Sequence, residues 1–220
     1  MSKNDLVVDW ATHAAAKYAC ENWHYSECLP TGKLVKVGAW EGGRFIGVVL
    51  FGRGASPFLG KKLNLRQDQC VELTRVAMRD HAASISRIVS ISLKFLKKSN
   101  PKLRVVVSFA DPDKGHHGGI YQAGNWIYSG DSAKTTELFI KGRWVHMRGG
   151  WYAKNENTPT RTMPGKHRYL MPLDSTMREK LLNLAKPYPK REKQAMTGPT
   201  GTATGQHRSS RSNSAEVSDA

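Results

Sequence analysis

The amino-acid sequence predicts an α/β fold: a single domain with a mixed central sheet flanked by helices, followed by a disordered basic tail. Residues 34–40 and 45–51 read as two strands, and Gly42-Gly43 between them suits a hairpin turn because glycine adopts positive φ angles without strain. Residues 71–98 read as a strand, a polar turn and a helix. Residues 103–109 form a continuous apolar run, typical of a strand buried on both faces. The order of elements is not the strict alternation of a doubly wound sheet.

The helix within residues 71–98 has the clearest periodicity in the chain. Its apolar and small residues recur at steps of three and four, so one face is expected to pack on the sheet. These inward positions are Ile85, Ile88, Val89, Ser92 and Leu96. We also predict a helix over residues 9–22, with Trp10, Ala14 and Tyr18 inward.

The remaining elements follow from shorter patterns. Residues 52–69 read as a long loop, and residues 148–168 as a polar, aromatic and basic region. Further elements are a short helix at 120–123, strands near 126–128, 136–140 and 143–147, and a last helix around 181–184. We place the folded domain at residues 1–191. Residues 192–220 are rich in Thr, Gly, Ser and Arg and are expected to be disordered.

Charge is the strongest signal in the composition. The 220 residues contain 34 Lys and Arg against 18 Asp and Glu, a net charge of +16 that points to a polyanionic partner, with nucleic acid first. No apolar run approaches the roughly 20 residues that cross a bilayer, and no signal peptide is evident, so we expect a cytoplasmic protein without a membrane partner. Three cysteines without a C-x-x-C motif favour reduced thiols. The sequence leaves open whether the chain forms a homodimer.

The turn that precedes the predicted helix suits a phosphate-bearing cofactor. The residues there are small, and the N–H groups at a helix N-terminus attract an anion that can approach the backbone closely. We expect Ala82, Ser84 and Ser86 to contact the phosphates, although the two serines serve equally well as ordinary N-caps.

Several polar residues are candidates for the chemistry. His24 and Tyr25 follow the first helix, and an imidazole and a phenolate are both ligands for iron. The alternatives are that His24 caps the helix and that Tyr25 packs against the domain. Asp111 follows the buried strand and is a candidate metal ligand or general base; the alternative is that it begins a turn. The sequence does not show whether Asp111 or Asp113 is the functional carboxylate. The adjacent His116 and His117 are interpreted as loop residues.

The strand before the turn carries two further candidates. Strict alternation puts Glu72 and Thr74 on one face and Leu73 and Arg75 on the other. Glu72 is a candidate to polarise a nucleophile, and Arg75 to reach a phosphate of a cofactor or of DNA. A plain cross-strand ion pair is the alternative for both.

Two basic segments are candidates for contact with double-stranded DNA. They are the loop 53–66 and the segment 143–168, in which aromatic side chains alternate with cations. Cations neutralise phosphates, and aromatic faces stack on exposed bases. The residues expected to bind DNA are Arg53, Lys61, Lys62, Arg143, Arg148, Trp151, Tyr152 and Lys154.

The element order and two motifs resemble the GNAT N-acetyltransferase superfamily. The stretch 79–84 (Arg-Asp-His-Ala-Ala-Ser) is similar to that family's Arg/Gln-x-x-Gly-x-Gly/Ala pyrophosphate loop, with alanine and serine in place of the glycines. The stretch 121–126 (Tyr-Gln-Ala-Gly-Asn-Trp) is similar to its Tyr-x-x-x-Gly-Phe, one residue short. The resemblance implies that Arg79, Ala82 and Ser84 lie at a coenzyme A site and that Arg75 lies nearby.

A set of longer stretches resembles the phage Mom family more specifically, over most of residues 20–191. They are Trp23-His24-Tyr25-Ser26, Val71-Glu72-Leu73-Thr74-Arg75, Ser108-Phe109-Ala110-Asp111, Gly119-Ile120-Tyr121-Gln122-Ala123 and Lys166-His167-Arg168-Tyr169. This resemblance implies an enzyme that converts adenine in phage DNA to N6-carbamoylmethyl-adenine and shields the genome from host restriction enzymes. It also implies acetyl-CoA as a participant, a requirement for iron, and His24, Tyr25, Asp111 and Glu72 as site residues, the first three at the metal.

Other functions remain open from the sequence. One alternative is a GNAT acyltransferase that uses acetyl-CoA on a protein or a small amine, and another is a DNA-binding protein without catalysis. An adenine methyltransferase fits poorly, because Asp111-Pro112-Asp113 departs from the Asn/Asp-Pro-Pro-Tyr motif of such enzymes and no Gly-rich methionine-cofactor loop is evident.

Overall fold

The computed structural model describes residues 5–54, 56 and 58–191. The strands are β1 (Leu6–Trp10), β2 (Leu34–Glu41), β3 (Arg44–Gly52), β4 (Cys70–Met78), β5 (Val105–Ala110), β6 (Ile127–Asp131), β7 (Thr135–Ile140), β8 (Arg143–His146), β9 (Thr160–Met163) and β10 (His167–Pro172). The α-helices are α1 (His13–Trp23), α2 (Ile85–Ser99), α3 (Gly119–Ala123), α4 (Met147–Gly150) and α5 (Ser175–Leu182).

A seven-stranded sheet in the order β1-β2-β3-β4-β5-β10-β6 forms the centre of the domain. Its neighbouring strands pair antiparallel with one exception among the described residues, the parallel pair β4 and β5. A parallel pair needs a crossover connection, and α2 provides it. The predicted fold class, a mixed sheet with flanking helices, is confirmed.

Helices cover both faces of this sheet. On one face, Ile88, Val89 and Leu96 of α2 pack with Val106 of β5 and Tyr121 of α3. On the other face, α1 packs on β3 and β4 through Ala16, Ala19 and Cys20, and α5 packs on β5 and β10 through Met177 and Leu181. The predicted inward positions of α2 are therefore confirmed, except that Ile85 is only half-buried and Leu93 is also buried.

A smaller sheet, in the order β8-β7-β9, lies between β6 and β10 in the chain. We refer to residues 132–166 as the arm. Leu138 is fully buried in it, and Gly150 of α4 packs against Ile140 and Val145, where a larger side chain has no room. The guanidinium of Arg161 lies 4.5 Å from the Trp144 ring and pairs with Glu137. The arm therefore has its own small apolar core.

The N-terminal prediction was wrong in part. Residues 6–10 form β1, which pairs with β2, and α1 begins only at His13 after the cap Thr12. Trp10 and Tyr18 are about half-exposed and Ala14 is exposed, whereas Ala16, Ala19 and Cys20 are buried. The predicted helix started four residues too early and took Trp10 as an inward helical residue, so the inward face was placed through positions 10, 14 and 18 instead of 16, 19 and 20.

The C-terminal half also departs from the prediction. The region 148–168 was predicted without strands, but it contains β9 and the start of β10. Strand β10 lies between β5 and β6, and its Tyr169 and Leu170 are buried on opposite faces. This strand has only two buried side chains, flanked by the polar His167-Arg168 and by Met171-Pro172, so its apolar signal is too short to detect.

The expected tail at residues 192–220 lies outside the described residues. All three cysteines are free, as expected. Among the described residues, no helix is long and apolar enough to cross a bilayer.

Candidate active site

A cleft of about 930 Å³ opens where β4 and β5 separate. The parallel pairing runs from Cys70–Val105 to Glu72–Val107 and ends there. Beyond that point the two strands diverge, and their residues line the cleft instead of pairing. The lining consists mainly of residues 23–25 after α1, residues 72–76 of β4, residues 115–121, His146 and Arg148 of the arm, and Lys166.

Ser108 bridges the strands at the point where they part. Its Oγ lies 2.9 Å from the carbonyl oxygen of Leu73 and 2.8 Å from the hydroxyl of Tyr121. A carbonyl only accepts, so Ser108 donates to Leu73 and accepts from Tyr121. Burial raises the pKa of Tyr121 to about 12. The Tyr121 proton is therefore held in a structural bridge rather than being free for acid catalysis.

A β-bulge at Thr74 places Glu72 and Arg75 on the same face, which corrects the predicted alternation. Leu50 of β3 lies opposite Arg75 and Phe51 lies opposite Leu73, so Thr74 is an extra residue in β4. Its Oγ1 donates to the Leu50 carbonyl oxygen at 3.1 Å. Because of the extra residue, Arg75 turns toward the α1 face, where Glu72 already lies.

Glu72 and Arg75 form the charged floor of the cleft. Burial raises the pKa of the Glu72 carboxyl, and the positive charges of Arg75 and Lys166 oppose that rise. Gly54 packs so closely that a Cβ on it would lie on the Glu72 carboxylate. The Arg75 Nε is buried without a hydrogen-bond partner among the described residues. An unpaired buried donor is costly, which favours a ligand acceptor atom at this position.

His24, Tyr25 and His116 form an aromatic cluster at one side of the cleft. The rings of His24 and Tyr25 are 4.3 Å apart, and those of Tyr25 and His116 are 5.2 Å apart. Burial lowers the pKa of His24 to about 4, with further lowering by the charges of Arg75 and His116. His24 is therefore a neutral imidazole at pH 7.

The hydrogen bonds of His24 fix its tautomer. Its Nδ1 accepts from the Ser26 backbone N–H at 3.1 Å and lies 2.7 Å from the Ser26 hydroxyl. A backbone N–H only donates, so Nδ1 carries no proton and the proton of the neutral ring lies on Nε2. His24 is thereby a hydrogen-bond donor, whereas an Nε2 metal ligand would need that nitrogen without its proton.

The described part of the chain does not bring together a set of side chains suited to bind iron. There, no three His, Cys, Asp or Glu side chains come together as a metal site. Asp111, the predicted third ligand, pairs with Lys166 at 2.8 Å and its side chain is only 16% exposed. The His24, Tyr25 and Asp111 site therefore stays a prediction that these contacts do not favour.

Asp111 instead organises the turn that carries His116. Its carboxylate accepts from the Asp113 N–H at 3.2 Å, and its carbonyl accepts from the His116 N–H at 3.0 Å. Asp113 is more exposed and lies 3.9 Å from Lys114. Of the two carboxylates that the sequence could not separate, Asp111 is the one that holds a residue of the cleft, Lys166.

The predicted phosphate turn is in place before α2, but its N–H groups are engaged. Ala82 and Ala83 each donate to the carboxylate of Glu41, both at 2.8 Å. Ser84 caps α2 by accepting from Arg87 N–H, and Ser86 lies 3.4 Å from Ser84. Arg79 stacks on Trp23 at 5.5 Å. Of the five predicted cofactor residues, Arg75 lines the cleft, and the other four lie in or just beside the turn.

Both predicted DNA segments reach the edge of the cleft. The loop 53–66 contributes Ser56 and Leu59, and the arm contributes His146 and Arg148. Trp151 and Tyr152 follow α4 and are 70% and 76% exposed. The other predicted cations, Arg53, Lys61, Lys62, Arg143 and Lys154, are exposed.

Sequence reasoning missed three residues of the cleft as site residues. His116 and His117 were interpreted as loop residues, and Lys166 was not singled out. The flanking glycines at 115, 118 and 119 were the available signal, since they let the turn fold against the cleft. For Lys166 no local pattern was available, because its position depends on the unpredicted β10, and it only opens one of the stretches that resemble the Mom family.

Comparison with known proteins assigns the family. A model of the Mom protein family matches residues 5–190. A protein of Escherichia phage Mu named methylcarbamoylase mom is 28% identical over 204 residues, which cover 84% of each chain.

The solved structures that match this chain include two acetyltransferases. An N-acetyltransferase of Staphylococcus aureus is 11% identical, with a TM-score of 0.45 over 78% of this chain and 100% of that one. An acetyltransferase of Thermus thermophilus is 12% identical, with a TM-score of 0.44 over 79% of this chain and 100% of that one.

Replacing Thr74 by valine tests the bulge. Valine keeps the shape but cannot donate to the Leu50 carbonyl, so we expect the free energy of unfolding to fall by about 1–3 kcal/mol. Urea denaturation measures this change, and Thr162→Val on the exposed β9 is the matched control, expected within about 0.5 kcal/mol of wild type. Equal losses for both variants would contradict the role assigned to Thr74.

The lowered pKa of His24 predicts how stability depends on pH. The unfolded chain binds a proton at this ring near pH 6.5, but the folded chain does so only near pH 4. The unfolded state therefore binds more protons in between, and stability falls as the pH drops from 6.5 to 4. Urea denaturation across this window should show a shallower fall for His24→Asn, whose amide oxygen can still accept from Ser26. Identical slopes would contradict the buried neutral ring.

Proposed function

The chain belongs to the Mom protein family, and from this premise we propose that it is a transferase that modifies DNA, converting adenine to N6-carbamoylmethyl-adenine. The relative from phage Mu carries the name methylcarbamoylase, and the net charge of +16 suits a DNA substrate. The observation that carries the proposal is that Glu72 and Arg75 line the same cleft, beside a basic and aromatic arm.

The target base must leave the duplex to react in such a cleft. Enzymes that act on a base extrude it into a pocket, at a cost of a few kcal/mol for unstacking. The cleft of about 930 Å³ lies at the upper end of the range of small-ligand sites, roughly 300–1,000 Å³. It has room for an adenine together with a donor group.

Glu72 is the proposed general base. A partly desolvated carboxyl with a raised pKa is suited to take a proton near neutral pH. As N6 forms its bond to the methylene carbon of a carbamoylmethyl donor, the leaving group on that carbon departs with the bonding electrons, and the proton of N6 passes to Glu72. Arg75 Nε and His24 Nε2 are two donors available to oxygen or nitrogen acceptors in the cleft.

Acetyl-CoA is the proposed donor cofactor, and when bound it would supply a two-carbon unit. Turning that unit into a carbamoylmethyl donor also requires a nitrogen nucleophile that replaces the thiol of coenzyme A and a two-electron oxidant that acts at the methyl carbon. The residues that would hold acetyl-CoA are those of the small turn before α2, where Ala82, Ala83 and Ser84 allow close approach to the backbone. Two of these N–H groups are held by Glu41, so the fit requires that carboxylate to leave. Iron has no step in this proposal.

The biological role follows from the modification. An alkyl group on N6 alters the major-groove edge by which restriction enzymes recognise adenine. We propose that the modified phage DNA thereby resists host restriction and that the enzyme acts in the host cytoplasm.

Analysis of DNA from cells that express the protein tests the function. We expect mass spectrometry of the nucleosides to find carbamoylmethyl-deoxyadenosine, and the plasmid to resist restriction enzymes that have adenine in their sites. Glu72→Gln should lower the initial rate about 100-fold or more, since general-base catalysis contributes about 10²–10⁴-fold. Glu179→Gln, on the exposed face of α5, is the control and should match wild type.

Unmodified deoxyadenosine throughout, from folded wild-type protein, would contradict the proposal. Acetyl transfer to a peptide or a polyamine, with DNA unchanged, would select the acyltransferase alternative. DNA binding without any product would select a non-catalytic binding protein.

The arm is proposed to hold the duplex beside the cleft. Trp151 and Tyr152 are exposed within a few residues of Arg148, which lines the cleft. Aromatic stacking on a base contributes about 1–3 kcal/mol. Replacing both residues by alanine should therefore weaken duplex binding about tenfold or more, as measured by fluorescence anisotropy at constant salt. Trp10→Ala, at the edge strand β1, is the control, and equal losses for both would refute the role of the arm.

A further inference from the structure

We propose that Glu41 is an internal ligand of the diphosphate site before α2, and that a coenzyme A donor binds only after displacing it. This inference rests on the proposed donor. It adds a competition within the chain, between a carboxylate of the β2–β3 hairpin and the phosphates of the cofactor.

The geometry at this turn is that of a bound anion. Glu41 uses both carboxylate oxygens: Oε2 accepts from the Ala82 N–H and Oε1 from the Ala83 N–H, each at 2.8 Å. Two consecutive backbone N–H groups just before a long helix are the arrangement that proteins use for phosphate oxygens. Since an N–H points at one partner at a time, Glu41 and a phosphate exclude each other.

The charges nearby favour the carboxylate as they would favour a phosphate. The hydrogen bonds from Ala82 and Ala83, with the charges of His81 and Arg44, hold the pKa of Glu41 below its ordinary value. Glu41 is therefore ionised at neutral pH. A second anion would meet its repulsion as well as its occupied donors.

Only the side chain of Glu41 has to move, because its backbone is paired with Leu6 of β1 and Arg44 of β3. Glu41 is only half-buried, at the end of β2. The next residues, Gly42 and Gly43, have positive φ angles, and a Cβ placed on either would meet open space. Arg44 makes a second contact to the same turn, donating to the Asp80 carbonyl at 3.0 Å. This contact leaves the amides of Ala82 and Ala83 untouched, so the two contacts are separable by mutation.

The expected consequence is a lowered affinity for the cofactor in the wild-type protein. When the competent form is only a fraction of the population, the apparent dissociation constant is raised by the inverse of that fraction. Removing the carboxylate should recover the lost affinity. The affinity for ligands without phosphates should not change.

Isothermal titration of the full chain with coenzyme A tests the proposal. We expect Glu41→Gln and Glu41→Ala to bind coenzyme A about tenfold or more tightly than wild type. Glu179→Gln, which removes a distant negative charge, should bind like wild type. Pantetheine, which lacks phosphates, should bind the Glu41 variants and wild type equally.

The proposal is overturned if folded Glu41 variants bind coenzyme A no better than wild type, or if pantetheine gains as much as coenzyme A. Thermal unfolding of each variant establishes that it is folded. This titration can be interpreted separately from the DNA-modification assay. A gain in coenzyme A affinity without modified DNA would contradict only the proposed function. Modified DNA without a gain in coenzyme A affinity would contradict only the proposed competition at Glu41.

Discussion

One hydrogen bond, from the Thr74 hydroxyl to the Leu50 carbonyl, supports the bulge on which the candidate site depends. Without the extra residue, β4 would turn Arg75 to the α2 face, into the apolar core. With it, Arg75 lies opposite Leu50 and shares the α1 face with Glu72. Bulges that re-aim a side chain beside an active site are a known use of this irregularity. The charged floor of the cleft thus comes from one unpaired residue.

The separation of β4 and β5 gives that floor its opening. The ladder ends at Glu72, and Ser108 takes over the Leu73 carbonyl that would otherwise lose its partner. A buried carbonyl without a partner is costly, so this bridge lets the strands diverge without an unpaired group. The same serine accepts from Tyr121, which ties α3 to the edge of the cleft. Fold and site are therefore stabilised by the same contacts.

Periodicity predicted the elements with strong local signals, and irregular pairing concealed the rest. The hairpin strands, the buried β5 and the inward face of α2 follow from alternation and helical spacing. The family resemblance added His24, Tyr25 and Glu72, which do line the cleft. The bulge at Thr74 and the contact between Glu41 and the α2 turn join residues distant in sequence, and neither has a local pattern.

A crystal structure with a DNA duplex that contains a target adenine tests the candidate site most directly. We expect an extruded adenine in the cleft, with N6 within about 2.6–3.2 Å of the Glu72 carboxylate, directly or through one water. We also expect Trp151 and Tyr152 to lie against the duplex. An adenine that stays stacked in the helix, or one bound away from Glu72 and Arg75, would contradict the proposed site.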